Sequence, residues 1–326
     1  MNEDDTRSAV LVTAIGTATS TAIITELKAS GEYLVVGTDI NDKNEIATSK
    51  DVDRFVKAPS VVDDEDAFLE FVLGVCEENS IEYYFAVIDE EIAMLSANRK
   101  VFEERGIRLC IPNRKAIEVS HDKRRFSEWI GENFPSIAIR SYDRIDDIER
   151  SDLPLFLKPT IGRASIGCSR IDSLEQLAGL REGRSCEADS IVQDFVDGEV
   201  ITVDVMRNAA TGQFKAIPRR ELLRNANGCG IAVELFRDEF LVGLCDSIAE
   251  RLDLDGVVNM EFFDTPCGYR IIEINPRFSA GSAFTMMAGE NLVDDAIAIA
   301  DGRSCEDYEV DCSGHYAKRY EAYRLD

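Results

Sequence analysis

The chain has 326 residues, 45% of them hydrophobic and 30% charged, enough for two or three domains with substantial cores. Its formal charge of −26 excludes a general nucleic-acid or anionic-membrane surface, so any phosphate site has to be a local basic cluster. Nine cysteines with no Cys-x-x-Cys pair and no secretory signal predict free thiols in a reducing, cytoplasmic compartment, and no apolar run approaches the ~18 residues of a membrane span.

Residues 9–15 read as a buried strand ending at Gly16, and Thr17 opens a helix to about Ala29 that Ser30 and Gly31 close. A strand from Tyr33 to Ile40, a helix over 63–79, a strand over 83–88, a helix over about 90–105 capped by Gly106, and a strand over 107–111 stopped by Pro112 follow. Strand and helix alternate, which predicts a small parallel α/β domain. Gly16 and Asp39 have the spacing of a dinucleotide fingerprint, but one glycine of the three favours a structural turn that needs no nicotinamide.

Past Pro112 the character changes. Ser120 is placed to cap a helix with Trp129 and Ile130 on its buried side, leaving Lys123 in the first turn, where free amides favour an anion; a solvated lysine is the plainer alternative. A short strand ends at Lys158-Pro159, and the loop from Thr160 through Gly162, Arg163, Ala164 and Ser165 to Gly167 spaces its glycines so that amides can close on phosphate oxygens, or simply turn. With the lysine before the glycines, this is not a Walker loop. Next come strands over 191–196 and 201–205 around a turn at 197–199, then a basic cluster, Arg219, Arg220 and Arg224, for which surface ion pairing is the alternative. An amphipathic helix over 240–252 leads into two strands, 257–263 and 269–275, joined by a three-residue loop, Pro266-Cys267-Gly268.

That hairpin sets a register. With Asp264 opposite Arg270, Glu261 faces Glu273 and Asn259 faces Asn275, while Val258, Met260, Phe262, Ile272 and Ile274 form the opposite, apolar face. Facing carboxylates repel by about 3 kcal/mol at ~5 Å and an effective dielectric of ~20, so a cation is expected between them unless the face is merely solvated. Glu261, Glu273 and the Asn275 amide are hard oxygen ligands suited to Mg²⁺ completed by phosphate oxygens, and Arg277 two residues on could hold a phosphoryl group. A small-residue helix starts near Ser282, and residues 308–323 alternate like a final strand, where His315 is expected to be structural.

Glu261 followed by Glu273-Ile-Asn275-Pro-Arg277, with Lys158-Pro159 and the glycine loop before them, resembles the ATP-grasp superfamily. The chain is similar in particular to the ATP-binding unit of the carbamoyl phosphate synthetase large chain and to short single-unit carboxylate-amine ligases. The resemblance runs along the whole chain and is specific from Lys123 to Arg277. It implies an α/β and α+β protein: a Rossmann-like parallel pre-ATP-grasp domain (1–112), a small lobe with the glycine-rich loop (113–190), and a large lobe with the metal site (191–326). It implies that Lys123, Lys158, Gly162, Ser165 and Gly167 hold phosphates, with Ala164 standing where the family has glycine. Gln193, Asp194, Phe195 and Val196 would take adenine, and Glu199, one residue early for the family pattern, would take ribose through a local bulge. Glu261, Glu273 and Asn275 would bind metal, and Arg277, Arg219 and Arg220 would line the reacting centre.

The activity so implied is ATP-dependent and ADP-forming: a carboxylate is activated as an acyl phosphate and joined to an amine. ATP with Mg²⁺, or Mn²⁺ in its place, would be the cofactors, and small-molecule carboxylate and amine the partners, with no nucleic acid or membrane; a homodimer is allowed. A kinase of the same fold that releases a stable phosphorylated product, or a non-catalytic ATP-binding module, are the alternatives. One ATP-grasp unit is too few for complete carbamoyl phosphate synthesis. The carboxylate, the nucleophile and the oligomeric state have no readable code in the sequence.

Overall fold

The computed structural model describes residues 7–142, 144, 147–162, 166–182 and 189–325. In its N-terminal part are β1 (Ser8–Val12), α1 (Ala18–Ser30), β2 (Tyr33–Asp39), β3 (Arg54–Lys57), α2 (Glu65–Asn79), β4 (Ile81–Phe85), α3 (Asp89–Ala97), α4 (Arg99–Glu103) and β5 (Arg108–Leu109). The strands form a parallel sheet in the order β3-β2-β1-β4-β5. Thr17 caps α1 by accepting from the Ser20 amide, and Gly31 ends it with φ 72°, the left-handed turn that glycine adopts without strain. The expected helix over 90–105 is two helices broken at Asn98, whose side chain returns to the Met94 carbonyl. β3 is a short edge strand without an apolar run, and so carried no sequence signal.

Asp39 accepts from the Gly16 amide at 2.9 Å, so this carboxylate closes its own turn. Deeper in the domain, Glu91 is buried and accepts from Thr13 Oγ1 (2.7 Å) and Tyr84 OH (2.7 Å). Burial pushes its carboxyl up to about 7 despite these bonds. A raised folded-state pKa means that Glu91's contribution is complete below its ordinary value of 4.5 and is lost as pH rises through about 7. Glu91→Gln, neutral throughout, is therefore expected to gain stability relative to the parent between pH 5 and pH 8, on the order of 3 kcal/mol at most. Thermal unfolding of both proteins at the two pH values checks this; a difference independent of pH would refute it.

Helices α5 (Arg114–His121) and α6 (Lys123–Asn133) come next. Ser120 does not cap α6: it lies inside α5, bonded to the Ala116 carbonyl, and Asp122 is the cap, its carboxylate accepting from the Arg124 and Arg125 amides. Aspartate caps as well as serine and here reaches both amides. Lys123 is thereby the first residue of α6. Strands β6 (Ser141–Tyr142), β7 (Leu155–Pro159), β8 (Ser169–Ile171) and β9 (Ser190–Asp194) make an antiparallel sheet ordered β6-β9-β7-β8, on which α7 (Leu174–Glu182) packs through Leu177.

The larger antiparallel sheet contains β10 (Glu199–Asn208), β11 (Gln213–Arg224), β12 (Gly230–Leu235), β13 (Gly256–Thr265), β14 (Gly268–Asn275) and β15 (His315–Ala317), ordered β14-β13-β10-β11-β12-β15. One face is apolar: Ile201, Val203, Met260 and Phe262 pack against Phe126 and Ile130 of α6 and against Leu241 and Ile248 of α8 (Glu239–Arg251). Thus α5 and α6 share the core of the large sheet, and β9 belongs to the small one. Helices α9 (Ser282–Met287) and α10 (Leu292–Ala300) follow, and Leu292, Val293 and Ile297 pack with Phe278 onto Val10, Val12 and Phe85 of the parallel sheet. This shared core ties the two ends of the chain together. Of the strand expected over 308–323 only three residues pair, and His315 among them is exposed, away from the cleft described next.

Candidate active site

The opposite face of the large sheet and the small sheet enclose a cleft of about 350 Å³, a volume suited to a small-molecule ligand. At its floor, β13 and β14 pair with Asn259 opposite Asn275 and Glu261 opposite Glu273. The turn itself differs from expectation. Thr265 pairs with Gly268, so the loop is two residues long, Asp264 faces Tyr269, and Phe263 faces Arg270. A bulge at Ile272 restores the register before Glu273. Its consequence is a swap of faces: Ile271 enters the core in place of the expected Ile272, which lines the cleft.

Among the described residues, three side chains hold the facing carboxylates. Arg224 Nη2 lies 3.2 Å from Glu261 Oε2, Lys123 Nζ lies 3.8 Å from Glu273 Oε2, and Asn275 Nδ2 reaches both Glu261 (3.5 Å) and Glu273 (3.4 Å). Burial first, and the charge of Glu273 second, push the Glu261 carboxyl above the usual carboxylate range; Arg224 opposes them. The Asn275 amide thus directs N–H groups at the place a cation would fill, and turned end for end it presents oxygen. This oxygen set fits a hard divalent ion whose remaining positions ligand phosphates complete. Among the described residues no cluster of three or more His, Cys, Asp or Glu side chains is placed to hold a metal.

Cations line the same cleft. Lys158 is only 6% exposed, its Nζ reaching the bulged Ile272 carbonyl at 3.4 Å, and burial holds its ammonium below the ordinary lysine value. Lys123 Nζ donates to the Gly162 carbonyl at 2.9 Å, which joins α6 to the glycine-rich loop. Arg277 lies at the end of the floor, its Nε donating to Asp89 Oδ1 at 2.8 Å. That aspartate is in the first turn of α3, so the parallel domain orients this guanidinium.

Gln193, Asp194, Phe195 and Val196 also line the cleft. Gln193 Nε2 donates to Ser141 Oγ at 3.0 Å, Asp194 accepts from Tyr142 OH at 2.8 Å, and the Phe195 ring stacks under the Arg170 guanidinium at 4.1 Å. Gly162 faces the cleft; Gly167 has φ 77° beside it, outside the lining residues. Ser165, with Arg163 and Ala164, lies outside the described residues.

Two expected site residues are elsewhere. β10 pairs with β13 without a bulge, so Glu199 falls on the face of Ile201 rather than that of Val200 and Thr202, which line the cleft. It is held by Arg220 at 2.7 Å. Arg220, opposite Ile201, also meets Asp264 at 3.3 Å and covers the Phe236 ring at 4.8 Å; it braces the sheet rim instead of lining the cleft. Arg219, by contrast, is buried in the cleft wall, bonded to Asp204 (2.6 Å), Glu221 (3.1 Å) and Ser279 (2.9 Å). Gly281 packs on its guanidinium so closely that a Cβ would lie 2.8 Å away. The sequence reading missed Asp89, Asp204 and Glu221; period two along β11 places Glu221 on the face of Arg219, a signal that could have found it.

A glycine-rich loop and lysine over one antiparallel sheet, facing carboxylates and an arginine on another, and a parallel domain in front define the ATP-grasp fold. The chain has this fold, and it is similar to the ATP-binding unit of carbamoyl phosphate synthetase large chains and to short carboxylate-amine ligases. Residues 187–320 match the family "ATP-grasp in the biosynthetic pathway with Ter operon", and residues 10–110 match "PylC-like, N-terminal domain". The 3-methyl-D-ornithine--L-lysine ligase of Methanosarcina mazei is 27% identical over 184 residues, 55% of this chain and 45% of that protein. The carbamoyl phosphate synthase large chain of Methanoregula boonei is 27% identical over 239 residues, 67% of this chain and 22% of that protein. These matches span less than half the length of either curated relative. Among solved structures, the biotin carboxylase of Campylobacter jejuni superposes with a TM-score of 0.77 at 14% identity, covering 94% of this chain and 74% of that one. The N5-carboxyaminoimidazole synthetase of Staphylococcus aureus gives 0.71 at 16% identity, covering 95% and 82%. Both share the fold. Among the described residues no helix is long and apolar enough to cross a membrane, and no disulfide is formed.

Proposed function

We propose that the chain is an ATP- and Mg²⁺-dependent, ADP-forming ligase that activates a small carboxylate as an acyl phosphate and joins it to an amine. The observation that carries this reading is the convergence of Glu261, Glu273, Asn275, Lys158 and Arg277 on one cleft. Glu261, Glu273 and Asn275 would hold the metal, which when bound neutralises phosphate charge. Lys158 and Lys123 would orient the phosphates from the small-sheet side, and Gln193 to Val196 would flank the base. Arg277, locked by Asp89, would steady the transferring phosphoryl group while a carboxylate oxygen attacks it and ADP departs. The amine then adds to the acyl carbon, loses a proton, and phosphate leaves. Positioning and charge neutralisation do the work, with no covalent enzyme intermediate.

The carboxylate-amine ligases among the relatives support this reading, as does the ADP- and magnesium-bound biotin carboxylase domain of Hydrogenobacter thermophilus that shares the fold at a TM-score of 0.74. The test is interception. With ATP, Mg²⁺, the correct carboxylate and hydroxylamine in place of the amine, a hydroxamate should form in step with ADP. A stable phosphorylated product without hydroxamate would establish a kinase instead, and tight ATP binding with no ADP under any carboxylate a binding module.

A further inference from the structure

Glu221 is unexplained by that chemistry. It projects from β11 into the cleft, and its side chain is 3% exposed. One oxygen, Oε1, accepts from Arg219 Nε at 3.1 Å; the other, Oε2, is buried without a hydrogen-bond partner among the described residues. A buried carboxylate oxygen left unpaired is costly, because it loses its water and gains no donor in return. The backbone confirms how closely the space is drawn. Gly230 lies so near that a Cβ there would come within 2.1 Å of Oε2, so β12 presses on this carboxylate with glycine alone.

The local charge points to the missing donor. In this wall Arg219 serves two carboxylates, Glu221 and Asp204, and Asp204 Oδ1 is also buried without a partner among the described residues. Lys318 brings charge close to both carboxylates but gives neither oxygen a hydrogen bond, since its ammonium is bonded to the Ala280 carbonyl and lies over the Phe284 ring at 5.3 Å. Glu221 is also not a third metal carboxylate, because among the described residues no three such groups gather about one position. What Oε2 lacks is an N–H donor, on a group small enough to enter beside Gly230.

We propose that Glu221 Oε2 receives the ammonium group of the substrate, so that the inner end of the cleft takes an amino acid or related ammonium-bearing molecule. The assignment rests on the ligase reading for which substrate is meant, and it narrows that substrate to an amine-bearing class as opposed to bicarbonate or a simple dicarboxylate. Glu221 acts in recognition and takes no part in bond making.

The experiment is a binding screen of the full chain with saturating ADP and Mg²⁺. The probes are the common L-amino acids and both enantiomers of ornithine, each paired with the acid in which hydrogen replaces the amino group. Thermal shift identifies binders and calorimetry measures them, for the parent, Glu221→Gln and Glu221→Asp. At least one amine-bearing probe should stabilise the parent while its deaminated partner does not. Glu221→Gln keeps an acceptor for Arg219 and removes the charge, so its own unfolding midpoint should equal or exceed the parent's. Its affinity for the probe should fall roughly tenfold to a hundredfold, and Glu221→Asp should retain part of it.

Unchanged probe affinity in Glu221→Gln, equal binding of the deaminated acid, or no binding by any amine-bearing probe would each overturn the assignment. So would a loss of Mg²⁺·ADP affinity in Glu221→Gln, which would make Glu221 part of the metal site. Binding as expected, with no hydroxamate from any carboxylate, would instead remove the ligase reading and leave the ammonium site standing.

Discussion

Glu273→Gln should lower ADP formation roughly a hundredfold or more, the scale on which a site loses a group that stabilises transferring charge. The expectation follows from the pairing of β13 and β14, which sets Glu261 and Glu273 side by side with the Asn275 amide between them. Neutralising one carboxylate leaves the donor set too weak to hold a doubly charged ion against water. The fold should not suffer. In the free protein the substitution removes a like-charge contact, partly compensated already by Lys123 and Arg224, so the unfolding free energy should rise by no more than about 1 kcal/mol. ADP release with the natural carboxylate, hydroxamate yield and thermal unfolding measured together check the claim. Turnover like the parent's would sink the metal assignment, and collapse of the fold would show that the pair is structural.

How far the sequence reading reached follows from the range over which each signal acts. The pairing of Glu261 with Glu273 was legible because a hairpin is local and its side chains alternate. The assumed turn was one residue too long, and the bulge at Ile272 cancelled that error before the functional residues were reached. No sequence signal announced the bulge, so the exchange of Ile271 for Ile272 between core and cleft was not readable. Glu199 shows the reverse case: a one-residue displacement from the family pattern, with no bulge in β10 to absorb it, moves a side chain to the opposite face. Arg219 and Arg220 looked equivalent as neighbours in a basic run, yet a strand sends successive residues to opposite faces, and only Arg219 reaches the cleft. The Asp89 contact to Arg277 joins residues 188 positions apart, and local pattern carries nothing over such a distance. The cap of α6 was expected at Ser120, and the helix instead starts after Asp122, an equally good capping residue two positions on, a difference that only the backbone could settle.

Lys158 provides the other large effect, on nucleotide affinity. It is the penultimate residue of β7, where the small sheet closes over the floor of the cleft, and its ammonium is buried within the influence of Glu273, Lys123 and Glu261. Its one direct hydrogen bond among the described residues, to the Ile272 carbonyl, is long at 3.4 Å. Burial already disfavours the charge, which keeps the ammonium loosely committed in the free protein and available to a phosphate. Lys158→Met preserves most of the buried stem and removes the cation, so that packing loss is not mistaken for lost binding. Losing a charge-assisted contact of this kind should weaken ATP binding by about 1.5–3 kcal/mol, some ten- to 150-fold in Kd. The unfolding midpoint should move by no more than about 2–4 °C, because a poorly solvated charge is lost along with its weak bond. Calorimetric titration of Lys158→Met with ATP and Mg²⁺ decides the matter. An unchanged affinity would place the phosphates away from β7 and return Lys158 to a purely structural role, and a large fall in stability with affinity intact would do the same.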